Sequence, residues 1–130
     1  MPGEPKPIVS IDDDAAIRRT IARALSEAGY EVHSCPSGAA GIEKLKSVDA
    51  GLVLLDVSMP NENGFDVAQK IREGAAGEAN RGIPIVFVTA ESAEESYERS
   101  FDVGAHRYLV KPFEDEQLLA TVTGVLHLGG

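Results

Sequence analysis

A chain of 130 residues with a net charge of −9 is long enough to fold as one domain around a single core. Its acidic excess disfavours direct contact with nucleic acid, because phosphate contacts need clustered Lys and Arg, and no apolar run is long enough for a membrane span. The single cysteine, Cys35, excludes an intrachain disulfide, which fits a reducing cytoplasm, and we expect the protein to be cytoplasmic.

The predicted domain lies between two short tails. Residues 1–6 contain prolines and no apolar segment, so we expect a disordered N-terminal tail rather than a signal peptide. Residues 7–127 carry the alternating patterns that predict secondary structure, and residues 128–130 are a predicted C-terminal tail.

Apolar runs and segments of helical periodicity alternate along the chain. The run at 8–11 precedes a helix that Asp14 is expected to cap, and the run at 30–35 precedes a helix that Ser37 is expected to cap. The alternation continues with predicted strands at 51–55, 83–88 and 107–110, predicted helices at 65–71, 91–103 and 118–126, and a glycine-rich loop at 74–82. Five strands alternating with five helices predict an α/β fold in which helices cover both faces of a parallel sheet.

Polar residues follow the predicted strands at their carboxyl ends. Asp12 and Asp13 come after the first strand and Asp56 after the third; Thr89 ends the fourth and Lys111 follows the fifth. If the first and third strands are neighbours, as in the doubly wound order 2-1-3-4-5, the three carboxylates converge at one edge of the sheet. Two carboxylates ~4 Å apart repel by roughly 4 kcal/mol at an effective dielectric near ~20, so three of them need a cation. Magnesium fits, because it prefers oxygen ligands and keeps waters beside carboxylates and a phosphate.

The same residues suit phosphoryl chemistry. A carboxylate can attack phosphorus and form an acyl phosphate. Lys111 can supply an ammonium group and Thr89 a hydroxyl donor to the transferring group, whose charge must be neutralised. The pattern therefore indicates a site for a divalent cation and a phosphoryl group.

Four segments in this order closely resemble the receiver domain of two-component response regulators. They are Ile11-Asp12-Asp13-Asp14, Leu55-Asp56-Val57-Ser58-Met59-Pro60 with Gly64 following, Val88-Thr89-Ala90, and Tyr108-Leu109-Val110-Lys111-Pro112-Phe113. The resemblance covers roughly residues 7–127, which would form the receiver domain, and implies a flavodoxin-like doubly wound (βα)5 sandwich with a five-stranded parallel sheet of order 2-1-3-4-5. Ser10 departs from it, because the family usually has an aliphatic residue there.

The resemblance implies a phosphoacceptor and a metal site. Asp56 would be the residue that is phosphorylated. Asp13 and Asp56 would ligate Mg²⁺ directly, Asp12 would do so mainly through water, and the backbone carbonyl of Ser58 would add a ligand.

Further roles are implied for residues of the last two strands. Lys111 would bind the phosphoryl group, and Thr89 would sense it. Tyr108 resembles the aromatic switch residue that turns inward as Thr89 moves toward the phosphate. The peptide bond between Lys111 and Pro112 would be cis.

The resemblance also implies partners and an activity. A histidine kinase or a histidine phosphotransfer protein would donate the phosphoryl group from phosphohistidine, within a two-component phosphorelay. Slow autodephosphorylation would end the signal, so the domain would catalyse only its own modification and would not be an enzyme in the usual sense. The surface formed by the fourth helix, fifth strand and fifth helix would switch an output domain or protein, and a phosphorylation-dependent homodimer is compatible with it.

Three other functions fit parts of the pattern. A Mg²⁺-dependent phosphatase of the haloacid-dehalogenase type usually has a second Asp two residues after its nucleophile, where this chain has Ser58. A flavodoxin-like cofactor binder would need a hydroxyl- and glycine-rich loop after the first strand, where Asp12 and Asp13 would repel a phosphate. A receiver-like binding module that acts without phosphorylation is the remaining alternative, which the complete set of acids, threonine and lysine disfavours.

Overall fold

A parallel sheet organises the chain, and a computed structural model describes residues 5–60, 62–90, 104 and 107–128. The five strands of the sheet are β1 (Ile8–Ile11), β2 (Val32–Cys35), β3 (Leu52–Leu55), β4 (Ile85–Thr89) and β5 (Arg107–Val110). They lie in the order β2-β1-β3-β4-β5, and every neighbouring pair is parallel. The predicted flavodoxin-like topology is confirmed.

Four α-helices are described around the sheet: α1 (Ala15–Glu27), α2 (Gly38–Ser47), α3 (Gly64–Arg72) and a last helix (Asp115–Leu128). The helix predicted over 91–103 lies outside the described residues. A short antiparallel ribbon, made of Ser58–Met59 and Glu62–Asn63, leads from β3 into α3. Among the described helices, none combines the length and the apolar composition that crossing a bilayer requires.

Two apolar layers cover the faces of the sheet. One layer contains residues of α2 and α3, and the other contains residues of α1 and the last helix. Strand β3 contributes alternately to both, since Val53 and Leu55 belong to the first layer and Leu52 and Leu54 to the second. This double burial explains why the strand is apolar at every position, as expected of a central parallel strand.

The helix starts follow the predicted capping chemistry. The Asp14 carboxylate accepts hydrogen bonds from the backbone N–H groups of Ala16 (2.8 Å) and Ile17 (3.3 Å) at the start of α1. The Ser37 hydroxyl accepts one from Ala40 N–H (3.2 Å) in α2. Both caps are confirmed, and each satisfies a backbone donor that the helix itself leaves unpaired.

The glycine-rich segment predicted as a loop contains one 3-10 turn, Glu78–Asn80. The Asn80 side-chain amide donates to the carbonyl oxygens of Leu45 (3.0 Å) and Ala76 (2.9 Å). The Arg72 guanidinium donates to the carbonyl oxygen of Ile83 at 2.7 Å. The sequence pattern did not indicate the turn, because its stabilising partners lie in α2 and at the end of α3.

Ser10 is buried in the middle of β1 with 1% of its surface exposed, and its Oγ has no hydrogen-bond partner among the described residues. A buried hydroxyl without a partner loses its hydration and gains nothing in return. We expect Ser10→Ala to raise the free energy of unfolding by about 1 kcal/mol, measured by urea denaturation. Ser34 of β2 is exposed and pairs with Ser10 in register, so Ser34→Ala is a matched control that should change little. A lower free energy of unfolding in Ser10→Ala would contradict this account.

Candidate functional site

The carboxyl ends of β1 and β3 bring the three predicted carboxylates together. Ile11 and Leu55 are register partners, so Asp12 and Asp56 leave adjacent strands side by side. One carboxylate oxygen from each of Asp12, Asp13 and Asp56 lies within 4.8 Å of the others. Asp12 and Asp56 are buried and Asp13 is exposed. Hard oxygen donors at this spacing are a set that could hold a divalent cation.

Asp56 is fixed by its own backbone and by the turn that follows it. Its N–H donates to Ile11 O at 3.0 Å, and its Oδ1 accepts a hydrogen bond from Ser58 N–H at 3.2 Å. The chain then returns across this turn, where Gly64 N–H donates to Val57 O at 2.8 Å. A Cβ at Gly64 would overlap with the Asp56 carbonyl oxygen, so glycine allows the start of α3 to approach the acidic residue.

Asp12 is held by three groups of different kinds. Its Oδ1 accepts a hydrogen bond from Asp14 N–H at 2.9 Å, and its Oδ2 accepts one from Lys111 Nζ at 2.8 Å. The Arg18 guanidinium, in the first turn of α1, donates to the Asp12 carbonyl oxygen at 2.7 Å. Sequence reasoning missed Arg18; the signal was a basic residue one helical turn after the Asp14 cap.

Lys111 follows β5, which lies on the opposite side of β3 from β1 in the sheet. Its Nζ lies 2.8 Å from Asp12 Oδ2 and 3.6 Å from Asp56 Oδ2, and its side chain is only 17% exposed. The Lys111 N–H donates to Thr89 O at 2.8 Å, and the bond between Lys111 and Pro112 is cis. Burial is the largest single influence and lowers the pKa of Lys111, but the hydrogen bonds and charges of Asp12 and Asp56 together outweigh it, so the pKa is raised and the group stays an ammonium.

The Asp56 carboxyl group has an unusual protonation equilibrium. Burial is the largest cause, followed by the negative charge of Asp12, and together they raise the pKa of Asp56 to about 6. The charge of Lys111 and the hydrogen bond from Ser58 N–H act in the opposite direction, and Asp13 adds a smaller upward effect. The Lys111 ammonium alone therefore does not neutralise the three carboxylates, and a bound cation would favour the ionised form of Asp56.

The remaining predicted residues lie on β4, on β5 and in the ribbon. Thr89 is fully buried at the end of β4, and Tyr108 in β5 is half-buried and packs against the layer of α2 and α3. Ser58 is exposed in the ribbon. An open depression beside the acids is lined by Asp13, Val57, Ser58, Met59, Pro60, Glu62, Asn63 and Asp66. Asp13 and Ser58 are exposed to solvent there.

Sequence comparisons assign a family to residues 8–123, which match the response regulator receiver domain. The transcriptional regulatory protein CusR of Escherichia coli (strain K12) is 32% identical over 122 residues, which are 94% of this chain and 52% of that protein. The transcriptional regulatory protein GltR of Pseudomonas aeruginosa is 36% identical over 119 residues, 92% of this chain and 48% of that protein. The chain spans about half the length of the curated relatives it matches.

Solved structures with the same arrangement are also similar in sequence. A CheY-like response regulator receiver domain protein from Methanospirillum hungatei JF-1 superposes with a TM-score of 0.85 at 27% identity, covering 95% of each chain. The chemotaxis protein CheY4 of Vibrio cholerae superposes with a TM-score of 0.84 at 30% identity, covering 93% of this chain and 98% of that one. The agreement in fold extends over nearly the whole length compared.

Proposed function

This chain belongs to the family of response regulator receiver domains, and we propose that it accepts a phosphoryl group on Asp56 in a Mg²⁺-dependent reaction. The observation that carries the proposal is the meeting of Asp12, Asp13 and Asp56 with the Lys111 ammonium at one edge of the sheet. The Asp56 carboxylate lies 3.6 Å from the Lys111 ammonium, so it is a nucleophile with a cation beside it.

The donor would be a phosphohistidine of a histidine kinase or a histidine phosphotransfer protein. A carboxylate oxygen of Asp56 attacks phosphorus and forms a P–O bond while the P–N bond to imidazole breaks. The bonding electrons stay on the imidazole nitrogen, which takes up a proton from solvent. Attack by water on the same phosphorus later releases inorganic phosphate and restores the Asp56 carboxylate, which ends the signal.

The donor set fits Mg²⁺, which would be held by Asp12, Asp13, Asp56 and the backbone carbonyl of Ser58. When bound, the ion neutralises negative charge on the carboxylates and on the transferring group. Lys111 places an ammonium beside Asp56 Oδ2 and binds a phosphoryl oxygen. Its hydrogen bond to Asp12 holds the Lys111 ammonium close to both Asp12 and Asp56.

The readout would be a population shift of an output surface. Thr89 would contact the phosphoryl group, and Tyr108 would change its packing in response. The surface would consist of residues 91–103, which lie outside the described residues, with β5 and the last helix. Relatives of about twice this length are named transcriptional regulatory proteins, which supports an output domain or protein as the downstream partner. A phosphorylation-dependent homodimer belongs to the same proposal.

Phosphoryl transfer is tested by incubating the purified protein with acetyl phosphate and MgCl₂ and measuring its intact mass. We expect a gain of one phosphoryl group, its loss when EDTA removes the metal, and its absence in Asp56→Asn. Asp49→Asn is the matched control, because Asp49 is exposed and paired with Lys6 rather than with the site, and it should be modified normally. An unmodified wild-type protein, or undiminished modification of Asp56→Asn, would favour a receiver-like module that acts without phosphorylation.

A further inference from the structure

Glu62 makes a contact that bridges the acidic site and the start of a distant helix. Its Oε1 accepts a hydrogen bond from Gly38 N–H, the first residue of α2, at 2.5 Å. The two residues are 24 positions apart, so this is a tertiary contact rather than a local cap. Helix α2 has no acidic residue in its own first turn, and Glu62 supplies the negative charge that a helix start favours.

Gly38 and the Glu62 carboxylate are packed closely together. A Cβ at Gly38 would lie 2.6 Å from Glu62 Oε2 and 2.5 Å from Val67 Cγ2. Glycine at position 38 therefore leaves the space in which the Glu62 carboxylate reaches the helix. Any larger residue there would have to displace both the Glu62 carboxylate and the Val67 side chain.

Glu62 also belongs to the ribbon that carries Ser58. Met59 and Glu62 are register partners, and so are Ser58 and Asn63. A ribbon of two residues per strand is too short to be stable by itself. The buried side chain of Met59 anchors one strand in the core, and the Glu62 carboxylate anchors the other to α2.

We propose that Glu62 is a positioning residue for the metal site, because its bond to α2 fixes the ribbon that holds Ser58 next to Asp56. This inference rests on the proposed function, in which the Ser58 carbonyl and the Asp56 carboxylate hold Mg²⁺. Partners outside the ligand set that orient metal ligands commonly alter metal affinity by about tenfold or more when removed. Glu62 acts through the backbone of the ribbon and does not itself touch the ion.

The test has to separate loss of the Glu62 hydrogen bond from loss of the Glu62 negative charge. Glu62→Ala removes both the bond and the charge, whereas Glu62→Gln keeps a side-chain oxygen of the same reach and removes only the charge. Glu43→Ala is the matched control, because Glu43 is an exposed acid of the same helix α2 that pairs with Lys46 at 2.9 Å. Glu62→Ala and Glu62→Gln lose the same negative charge at the same place, so long-range electrostatics alone would weaken cation binding similarly in these two variants.

Titration with MgCl₂ by isothermal calorimetry measures the effect on the unphosphorylated full chain. We expect Glu62→Ala to weaken Mg²⁺ binding about tenfold, and Glu62→Gln and Glu43→Ala to retain most of the affinity. At saturating MgCl₂ the acetyl phosphate reaction of Glu62→Ala should return to nearly the wild-type rate, since the chemistry at Asp56 is untouched.

Two outcomes would overturn the role of Glu62. One is unchanged Mg²⁺ affinity in Glu62→Ala, and the other is an equal loss in Glu62→Ala and Glu62→Gln. Failure of the unaltered protein to bind Mg²⁺ would instead contradict the proposed function on which this inference rests. The two failures are therefore distinguished by the wild-type titration alone.

Discussion

Asp56→Asn is expected to raise the free energy of unfolding of the metal-free protein near neutral pH by about 1–3 kcal/mol. Burial and the charge of Asp12 raise the pKa of Asp56 to about 6 from 3.8, which means that the ionised form is disfavoured in the folded protein. Asn has nearly the same shape and carries no charge, and its side-chain oxygen can still accept the hydrogen bond from Ser58 N–H. The residue that the function needs is thus expected to destabilise the fold that holds it.

The pH dependence of this effect has a definite sign. Between about pH 4 and pH 6 the folded protein keeps a proton on Asp56 that the unfolded chain has already released. Raising the pH through this range therefore lowers the contribution of Asp56 to the free energy of unfolding, and the full destabilising effect of this group is present above about pH 6. The stability difference between Asp56→Asn and wild type should be small near pH 4 and largest at neutral pH.

Urea denaturation at several pH values, with EDTA present, measures this difference. Asp49→Asn removes an equivalent charge from an exposed position and should change the free energy of unfolding by less than about 0.5 kcal/mol. MgCl₂ should reduce or reverse the difference in free energy of unfolding between Asp56→Asn and wild type, because a ligand that binds the folded wild-type site stabilises it by mass action. A metal-free Asp56→Asn protein that is less stable than wild type at neutral pH would refute the idea that the carboxylate is a buried, poorly compensated charge.

The main features of the fold and site were predictable because they depend on local patterns that repeat. Alternating apolar runs and helical periodicity indicated the parallel sheet, and its order follows from the way such sheets are wound. Polar residues directly after the strands then had to meet at one edge, as Asp12 and Asp56 do. The expected cis bond at Pro112 came from the resemblance and is present.

Contacts that depend on the exact approach of distant segments were not predictable. The hydrogen bond from Gly38 to Glu62 joins the start of α2 to the ribbon, and no local sequence pattern of either residue predicts the other as its partner. No role was predicted from the sequence for Arg18, which donates to the Asp12 carbonyl oxygen. Ser10 was recognised as a departure from the family, but only the packed structure shows that no described residue forms a hydrogen bond with its hydroxyl.

Gly64→Ala is expected to lower the free energy of unfolding by about 3 kcal/mol or more and to slow phosphoryl transfer to Asp56 by about 100-fold. The added methyl group would overlap with the Asp56 carbonyl oxygen and lie 2.8 Å from Val57 Cα. Both neighbours are backbone atoms, so no side-chain rotation can relieve the overlap, and the segment that carries the acceptor carboxylate has to move. A small displacement of a reacting group is enough to cause a large loss of rate.

Gly82→Ala provides the matched control for this substitution. A Cβ at Gly82 would have no heavy atom of the described part of the chain within 4 Å, so the same chemical change is made where there is space. We expect its free energy of unfolding to change by less than about 1 kcal/mol and its rate of modification by acetyl phosphate to stay at the wild-type value. Urea denaturation and the time course of intact mass measure the two quantities on both variants. Because the clash at Gly64 involves the backbone of Asp56 itself, the free energy of unfolding and the rate of modification should both fall in Gly64→Ala. A Gly64→Ala protein with wild-type values of both quantities would mean that α3 does not approach Asp56 this closely.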